Sequence, residues 1–326
     1  MSENEEIYGT QLFKQIYVHH RLLVSKYTAI KRSIHSYLAD VLSIYTKNEK
    51  SVLIEARNIP LSKGRNGNQI FYVSGVAMRL SKSQNQKSIE IANAIASHLL
   101  GICGDIFKVQ IVPPGWIYLQ LTDSALAAWL QSLAVGSLGQ EIREEKGQLI
   151  PNPQYPIPIA PYPQRGAHLP QSLVPNSLFA VQYAHARCCS LVLLAHREGL
   201  IELREPVPDT SPVFWSVLSC NSLPWLNCDG KLRFNHPDEH FLIAELVQVV
   251  DNLDYFAVSG SWNWEKAALK LSQAFENFWR NCRIWGEMKI TSSELAQARL
   301  GLVMATQSVL RLLLEEKLGI FAPLEL

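Results

Sequence analysis

The sequence predicts a multidomain protein, in which a small α+β N-terminal domain and an all-α C-terminal helical bundle are joined by a proline-rich linker. A chain of 326 residues, 48% of them hydrophobic, exceeds the usual size of a single core. Residues 151–175 hold 8 of the 17 prolines, which predicts an extended, semi-rigid spacer. Helical and alternating patterns mix before this stretch, whereas helical patterns dominate after it. We therefore expect domains at 1–140 and 177–326 and a linker at 141–176.

The N-terminal domain opens with a helical pattern over residues 8–46, where apolar residues recur at spacings of three, four and seven. A short apolar run from Val52 to Ala56 is typical of a strand, and the glycines of 64–68 predict a loop. Further elements are expected in this order: helices over 75–83 and 88–101, strands on either side of Pro113-Pro114-Gly115, and a helix from Asp123 or Ser124 to about Leu133. We expect Ser88 to cap the second of these helices and Gly101 to end it.

The C-terminal bundle begins with a helix capped by Asn176 or Ser177 and ended by Gly199. An irregular insertion extends to about Pro237, and a helix from His236 to Leu253 follows it. Two more helices are predicted, one with an apolar stripe over 271–285 and one that starts at a capping box over 291–294 and ends near Gly319.

The six cysteines follow no disulfide or zinc spacing, and the nearest approach to a metal motif is the H-x₂-C-C of His185, Cys188 and Cys189. Buried thiols that act as small apolar groups therefore explain the cysteines better than a metal site does. We find no apolar run of membrane-span length, and the acidic start MSENEEIYG lacks the features of a secretory signal. These features predict a cytoplasmic protein with no membrane partner.

Charge is divided unevenly along the chain. Residues 1–177 carry 17 Lys+Arg and 12 Asp+Glu, or +5, and residues 178–326 carry 13 and 17, or −4, which together give the net +1. Within residues 14–87 the balance is 13 basic to 3 acidic, or +10. A polyanion would therefore be attracted mainly to the N-terminal part, although a solvated basic face without a partner explains the same charges.

Two pairs of side chains could bind unpaired bases. Tyr183 and Arg187 are four residues apart on the first bundle helix, and Trp279 and Arg283 have the same spacing on a later one. A ring beside a guanidinium can stack on a base and hold its phosphate. Such pairs also occur as packing contacts at the edge of a bundle, and spacing alone leaves both interpretations open.

The segments LFAVQYAHARCCSLV, LSQAFENFWRNCRI and ARLGLVMATQSVLRLLLEEKLGIFAPLEL together resemble the DALR-type anticodon-binding domain of arginyl-tRNA synthetase. In addition, SGVAMRLSK, IEIANAIASHLLG and PPGWIYLQLTD, within residues 52–133, resemble the N-terminal additional domain of that enzyme. The resemblance implies that the bundle docks on a tRNA anticodon stem and loop and that the N-terminal domain approaches the tRNA elbow. The RNA-binding residues that it implies are Gln182, Tyr183, Arg187, Trp279 and Arg283.

The chain departs from the family pattern at several positions. An aromatic residue found in some members is Ala180 here, and the ending related to APERM is APLEL. In the N-terminal domain an expected Asn is Ser74, and the family's GFIN is GWIY. The largest departure is that only residues 134–176 lie where the synthetase places a Rossmann-type catalytic domain. There is no HIGH-like element, and MRLSKS at 78–83 imitates the KMSKS loop from a predicted N-terminal helix.

The leading hypothesis is a non-catalytic relative of arginyl-tRNA synthetase that binds tRNA or a tRNA-like RNA and no DNA. It has no catalytic residues, no metal and no cofactor, and ATP would be expected only for an active ligase. One alternative is a protein-interaction scaffold for a synthetase or a translation factor, with Trp215, Trp225 and the linker as contacts. Another is part of an arginine-tRNA ligase that acts with a separate catalytic chain.

Overall fold

The computed structural model describes residues 29–47, 59–64, 69–135, 176–204, 216–217, 223–255 and 262–326. Several predictions fall outside these residues: the start of the first helix, the strand over 52–56, most of the proline-rich linker, Cys220 and Trp215.

The N-terminal part combines helices with a four-stranded sheet. Its elements are α1 (Ile30–Lys47), β1 (Leu61–Lys63), β2 (Phe71–Ser74), α2 (Val76–Gln84), α3 (Ser88–Cys103), β3 (Phe107–Val112), β4 (Trp116–Leu121) and α4 (Asp123–Val135). The strand order is β1-β2-β4-β3, with antiparallel neighbours. The two alternating runs are strands, as predicted, and they pair with each other as the β3–β4 hairpin. The α+β character of this part is confirmed.

Alternation along the strands sets the two faces of the sheet. Tyr72 on β2 and Ile117 and Leu119 on β4 are buried, and α3 packs against β3 on the core side. Trp116 and Tyr118 alternate with these buried residues, so they lie on the opposite face of the sheet.

The predicted ends of α3 are wrong at both termini. Ser88 is the first helical residue and makes no capping hydrogen bond, because its hydroxyl donates instead to the carbonyl of Pro114 in the hairpin turn. The helix also continues through Gly101, because Leu99 and Cys103 extend its buried stripe to the last turn. A tertiary contact thus replaces the expected local cap, and burial outweighs the helix-breaking tendency of one glycine.

The C-terminal part is a helical bundle. Its elements are α5 (Asn176–Arg197), β5 (Leu203–Arg204), β6 (Ser216–Val217), α6 (Pro237–Tyr255), α7 (Trp264–Asn281), α8 (Glu287–Thr291), α9 (Ser293–Leu312) and a π-helical turn (Leu313–Lys317). Helix α9 is central and packs against α4, α5, α6 and α7. The end of α5 is confirmed, since Gly199 has a φ of +69°, a conformation that favours glycine.

Two predicted features of the later helices are wrong. Helix α7 ends at Asn281, and Cys282 is already extended, so the helix does not reach Trp285. The capping box over 291–294 does not form, since Ser292 precedes α9 without a side-chain cap. The Glu294 carboxylate instead forms an ion pair with the Arg233 guanidinium, with a nitrogen–oxygen distance of 2.6 Å.

Trp225 is buried, which corrects the expectation that it would be an exposed contact for a partner protein. Its indole N–H donates to Gln131 Oε1 on α4 at 2.7 Å, and the backbone N–H of Leu223 donates to the same oxygen at 3.0 Å. On α9, a Cβ at Gly301 would lie 2.4 Å from the Trp225 ring, so only glycine admits the ring there. This part of the insertion therefore joins α4 to α9.

The N-terminal part and the bundle share one hydrophobic core. Helix α1 packs against α6, and α4 packs against α9. A polar contact lies at this junction: Asp251 on α6 accepts hydrogen bonds from the Tyr72 hydroxyl at 2.5 Å and from the Lys31 backbone N–H at 3.0 Å. The proposed boundary at residue 140 stays a prediction, but α4 packs mainly on the bundle.

Within the described residues, the segment of α5 from Leu178 to Arg197 is long and apolar enough to cross a membrane by length and composition. The expectation that no run has this length is therefore wrong. Half of the segment is buried against the bundle, as in the core helix of a water-soluble fold, so this feature is weak evidence for a membrane span.

Candidate nucleic-acid interface

Helix α5 separates a buried stripe from an exposed flank. Val181, Ala184 and Cys188 are fully buried at spacings of three and four, as the sequence predicts. Tyr183 is 47% exposed and Arg187, one turn further on, is exposed as well. The structure therefore leaves both side chains accessible to a ligand.

Arg187 and Trp279 come together from different helices. The Arg187 guanidinium carbon lies 5.2 Å from the centroid of the Trp279 ring on α7, within the range of a cation–π contact. Trp279 in turn packs edge-on against Trp285, with ring centroids 5.7 Å apart. Tyr183 lies one turn before Arg187 on α5, and we call Tyr183, Arg187 and the half-buried Trp279 the α5–α7 face.

Arg283 is not the helical neighbour of Trp279 that its spacing indicated. Since α7 ends at Asn281, Arg283 lies in the following loop, where its side chain is exposed. Its backbone carbonyl accepts a hydrogen bond of 2.7 Å from Arg299, which also pairs with buried Glu239. The cation beside Trp279 is therefore Arg187, and Arg283 is held at the end of α7 by the core of the bundle.

Gln182 has a structural contact that its sequence position did not reveal. Its side-chain amide donates to the Phe321 carbonyl at 2.9 Å, which attaches the C-terminal tail to α5. Two exposed aromatic residues near this contact, Phe179 and Phe321, were absent from the predicted site. The aromatic Phe179, four residues before Tyr183 on the same flank, was the available signal for one of them.

His185 lies in a buried polar cluster. Its Nδ1 is 2.8 Å from the Pro323 carbonyl, and its Nε2 is 3.2 Å from Gln307 Nε2. These contacts are both satisfied by a neutral ring with the proton on Nδ1, which donates to the carbonyl while Nε2 accepts. Within the described residues, no group of three or more His, Cys, Asp or Glu could hold a metal ion.

Four of the five described cysteines are buried, in agreement with the prediction that they act as apolar groups, whereas Cys228 is exposed. Burial raises the pKa of Cys189 to about 11 and that of Cys282 to about 12. These thiols therefore stay protonated at neutral pH.

The environment of His185 predicts a loss of stability in mild acid. Burial lowers its pKa to about 4 from an ordinary value of 6.5, and the charge of Arg311 acts in the same direction. The unfolded chain therefore binds a proton at His185 more readily than the native protein does. The stability that the neutral His185 ring contributes is complete above pH 6.5 and is lost as the pH falls to about 4. The expected loss at His185 is roughly 3 kcal/mol by pH 4.

Urea unfolding between pH 7 and pH 4 measures this effect. His185→Gln should reduce the slope of the free energy of unfolding against pH, whereas His98→Gln, at an exposed site on α3, should leave the slope unchanged. Equal slopes for His185→Gln and the wild type would contradict the prediction.

The N-terminal sheet carries a second group of aromatic side chains. Phe71 and Tyr118 stack with ring centroids 5.8 Å apart and an interplanar angle of 15°, and Trp116 is exposed on the same face. Ser74, at the position of the family's Asn, is buried and donates to the Pro60 carbonyl at 2.8 Å. Any ligand contact by this sheet would therefore use the GWIY aromatics and not Ser74.

The MRLSKS segment is helical, as predicted. It lies within α2, where the hydroxyls of Ser81 and Ser83 donate to backbone carbonyls of the preceding turn. A mobile nucleotide-binding loop is not formed there.

Comparison with known proteins identifies both parts of the chain. Residues 181–326 match the DALR anticodon binding domain, and residues 28–121 match the arginyl tRNA synthetase N terminal domain. Similar proteins are named arginine–tRNA ligase. The one from Synechococcus sp. (strain JA-3-3Ab) is 32% identical over 149 residues, which cover 45% of this chain and 22% of that protein. The one from Gloeobacter violaceus is 30% identical over 137 residues, which cover 41% of this chain and 20% of that protein.

A third relative, from Salinibacter ruber, is 32% identical over 150 residues, or 45% of this chain and 22% of that protein. The chain thus spans about a fifth of the length of these relatives, and the similarity covers only its C-terminal part. No solved structure is significantly similar to the chain.

Residues 181–326, which make up most of the helical bundle, are thus similar to an anticodon binding domain. The chain is an arginyl-tRNA synthetase-like protein without the catalytic domain, since only residues 122–180 separate the two matched segments.

Proposed function

We propose that this protein binds tRNA or a tRNA-like RNA through the α5–α7 face and does not itself aminoacylate it. The observation that supports this most directly is the Arg187–Trp279 contact beside exposed Tyr183. Stacking on an aromatic ring contributes about 1–3 kcal/mol per base, and a neighbouring guanidinium neutralises phosphate charge. An unpaired RNA loop offers both an unstacked base for the ring and a phosphate for the guanidinium.

The sheet of the N-terminal part would provide a second RNA contact. Trp116 and Tyr118 lie on one face of β4, and the family resemblance directs this domain towards the tRNA elbow. The basic excess in the N-terminal part of the sequence would offset the acidic balance of the bundle.

Fluorescence anisotropy with total tRNA and with isolated anticodon stem-loops tests the proposal. The double variant Tyr183→Ala, Arg187→Ala is expected to bind at least about tenfold more weakly, because it removes one stacking platform and one phosphate contact. The slope of log affinity against log salt should also fall by about 1 with the loss of Arg187.

The matched control is Phe241→Ala, Arg197→Ala, which removes an exposed aromatic from α6 and an exposed arginine from the far end of α5. It should bind as the wild type does. Equal losses in the two double variants, or no binding by the wild type at low salt, would refute the α5–α7 face as the RNA site.

The absence of aminoacylation is tested separately with arginine, ATP and tRNA. We expect no charged tRNA from this protein alone. If tRNA is aminoacylated only after a separate catalytic chain is added, the result would favour the alternative that this protein is part of an arginine-tRNA ligase. The alternative of a protein-interaction scaffold expected Trp225 to contact a partner protein, but Trp225 is buried.

A further inference from the structure

Strand β3 forms a free edge of the N-terminal sheet. It pairs with β4 on one side, and no other strand in the described part of the chain pairs with its other side. The register fixes which backbone groups face outward, because the Thr122 N–H donates to the Ile106 carbonyl at 2.9 Å and hydrogen-bonded pairs alternate from there. The outward N–H and C=O groups are therefore those of Phe107, Val109 and Ile111.

This edge lacks the features that usually prevent strand pairing. Proteins commonly protect an edge strand by making it short, or with a bulge, a proline or several charged side chains. Strand β3 has six residues, keeps a continuous register with β4 and contains one charged residue, Lys108. Its outward backbone groups are thus a template for a further antiparallel strand.

Helix α6 of the bundle contacts the sheet at the opposite edge. Lys63 Nζ on β1 donates to the Ala244 carbonyl of α6 at 2.8 Å. On the neighbouring β2, the Tyr72 hydroxyl donates to Asp251 of the same helix. Strand β4 separates β2 from β3, and β3 itself packs mainly against β4 and α3. A second strand can therefore approach β3 on the side of the sheet that lies away from α6.

The sequence of β3 is complementary to itself in one antiparallel register. With a two-fold axis at Val109, the outward groups of Phe107 in each copy meet those of Ile111 in the other, and Val109 meets its own equivalent. Every outward N–H and C=O group of these residues then has a partner. On the solvent face, Lys108 lies opposite Gln110 of the second copy, so the two lysines do not oppose each other.

We propose that β3 pairs in this register with β3 of a second copy of the chain, which joins two four-stranded sheets into one. One strand alone is too small to bury the roughly 800 Å² per partner of a stable interface. Leu100 and Ile102, in the last turn of α3 directly before β3, are 52% and 43% exposed and add apolar surface beside the edge. The inference does not rest on the proposed RNA binding.

Sedimentation equilibrium of the full chain measures the pairing, and charge substitutions at Gln110 test its register. We expect the wild type to form a dimer in a concentration-dependent manner. Gln110→Glu should tighten the dimer about 2- to 30-fold, because it creates two opposite-charge pairs with Lys108 across the axis. Gln110→Lys should weaken it by a similar factor, and Lys108→Glu, Gln110→Lys should restore it. Both side chains are exposed, so the monomer should keep its fold.

Ser62→Lys is the matched control. Ser62 is exposed on the same face of the sheet, but on β1 at the opposite edge. The substitution adds the same charge as Gln110→Lys, and it should change the dissociation constant of the dimer by less than about twofold.

Disulfide cross-linking tests the same register without a change of charge balance across the axis. In a Cys228→Ser background, which removes an exposed thiol, a mixture of Lys108→Cys and Gln110→Cys chains should form a cross-linked dimer. The two positions form a non-hydrogen-bonded pair, in which the Cα atoms are about 4.5 Å apart and suit a disulfide. Either variant alone should not cross-link, because equivalent residues of the two copies are then offset along the strands.

A wild type that remains monomeric up to millimolar concentration refutes the proposal. If the Val109 amide of that monomer is nevertheless protected from hydrogen exchange, another segment of the chain covers the edge. A dimer that Gln110→Lys and Ser62→Lys weaken equally, or that cross-links in a single variant and not in the mixture, forms through a different surface and also refutes the pairing.

Discussion

Replacing Arg299 by alanine is expected to destabilise the bundle by about 3–5 kcal/mol, because it leaves a buried carboxylate without its counter-charge. Glu239 on α6 is completely buried, and its Oε1 accepts a hydrogen bond of 2.6 Å from Arg299 Nε on α9. Its Oε2 accepts the backbone N–H groups of Asn235 and His236 at 2.9 and 2.8 Å. One carboxylate therefore fixes the start of α6 and connects it to the central helix.

Urea unfolding at pH 7 measures the expected change. Arg280→Ala is the control, since Arg280 is an exposed arginine whose contact with Glu276 spans 3.8 Å, and it should cost less than about 1 kcal/mol. The pair Arg299→Met, Glu239→Gln should recover part of the loss, because it removes both charges together. A loss below about 1 kcal/mol for Arg299→Ala would show that water reaches the Glu239 carboxylate.

The same substitution should weaken RNA binding by the protein that remains folded. Arg299 also donates to the Arg283 carbonyl at 2.7 Å, so it holds the loop that connects α7 to α8. This loop carries Trp285, which supports the Trp279 ring. Arg299 is thus a positioning residue for the α5–α7 face.

Local signals in the sequence predicted the elements of the bundle well. The buried stripe of α5 follows from periodicity, and its end near Gly199 follows from the conformational freedom of glycine. The start of α6 is similarly local, since Pro237 occupies the first helical position that proline favours. The exposure of Tyr183 could also be predicted, because it follows from the angle between that residue and the stripe.

Predictions failed where a distant residue competes with a local contact. Glu294 pairs with Arg233 in place of a capping box, and Ser88 donates to Pro114 in place of a cap. The same cause changed the candidate site: Arg187 crosses to Trp279 on another helix, which no i, i+4 spacing could reveal. The exposed flank of α5 that carries Tyr183 and Arg187 was therefore readable from the sequence, but the contact of Arg187 with Trp279 depends on how α5 packs against α7.

The direct contact between the two parts of the chain was also beyond sequence reasoning. A proline-rich stretch between two domains suggests separation, and that linker stays a prediction. The buried partners at the junction, Tyr72 and Asp251, lie far apart in the sequence and carry no motif. Their proximity follows from the packing of α1 and the sheet against α6.

Replacing Tyr72 by alanine is expected to destabilise the whole protein by about 5 kcal/mol, the largest effect of a single junction residue. The side chain is completely buried, and truncation of a buried aromatic ring commonly costs about 3–5 kcal/mol. Tyr72 also donates a hydrogen bond of 2.5 Å to Asp251, and a hydrogen bond to a charged group adds about 1.5–3 kcal/mol. A loss of this size is a large part of ordinary domain stability.

Tyr72→Phe isolates the hydrogen bond and should cost about 1.5–3 kcal/mol. Burial raises the pKa of Asp251, while the Tyr72 hydroxyl, the Lys31 backbone N–H and the charges of Lys63 and Lys31 oppose that rise. Loss of the hydroxyl should therefore raise the pKa further, because the ionised carboxylate loses a donor. The deficit of Tyr72→Phe relative to the wild type should then shrink as the pH falls and Asp251 becomes protonated.

Tyr118→Phe, on the opposite face of the same sheet, is the matched control and should change stability by less than about 0.5 kcal/mol. Circular dichroism and tryptophan fluorescence should follow one unfolding transition in the wild type, because the two parts share a core. In Tyr72→Ala the two signals are expected to separate. If the two signals remain coincident and the loss in Tyr72→Ala does not exceed that of Tyr118→Phe, the Tyr72–Asp251 contact does not couple the sheet to the helical bundle.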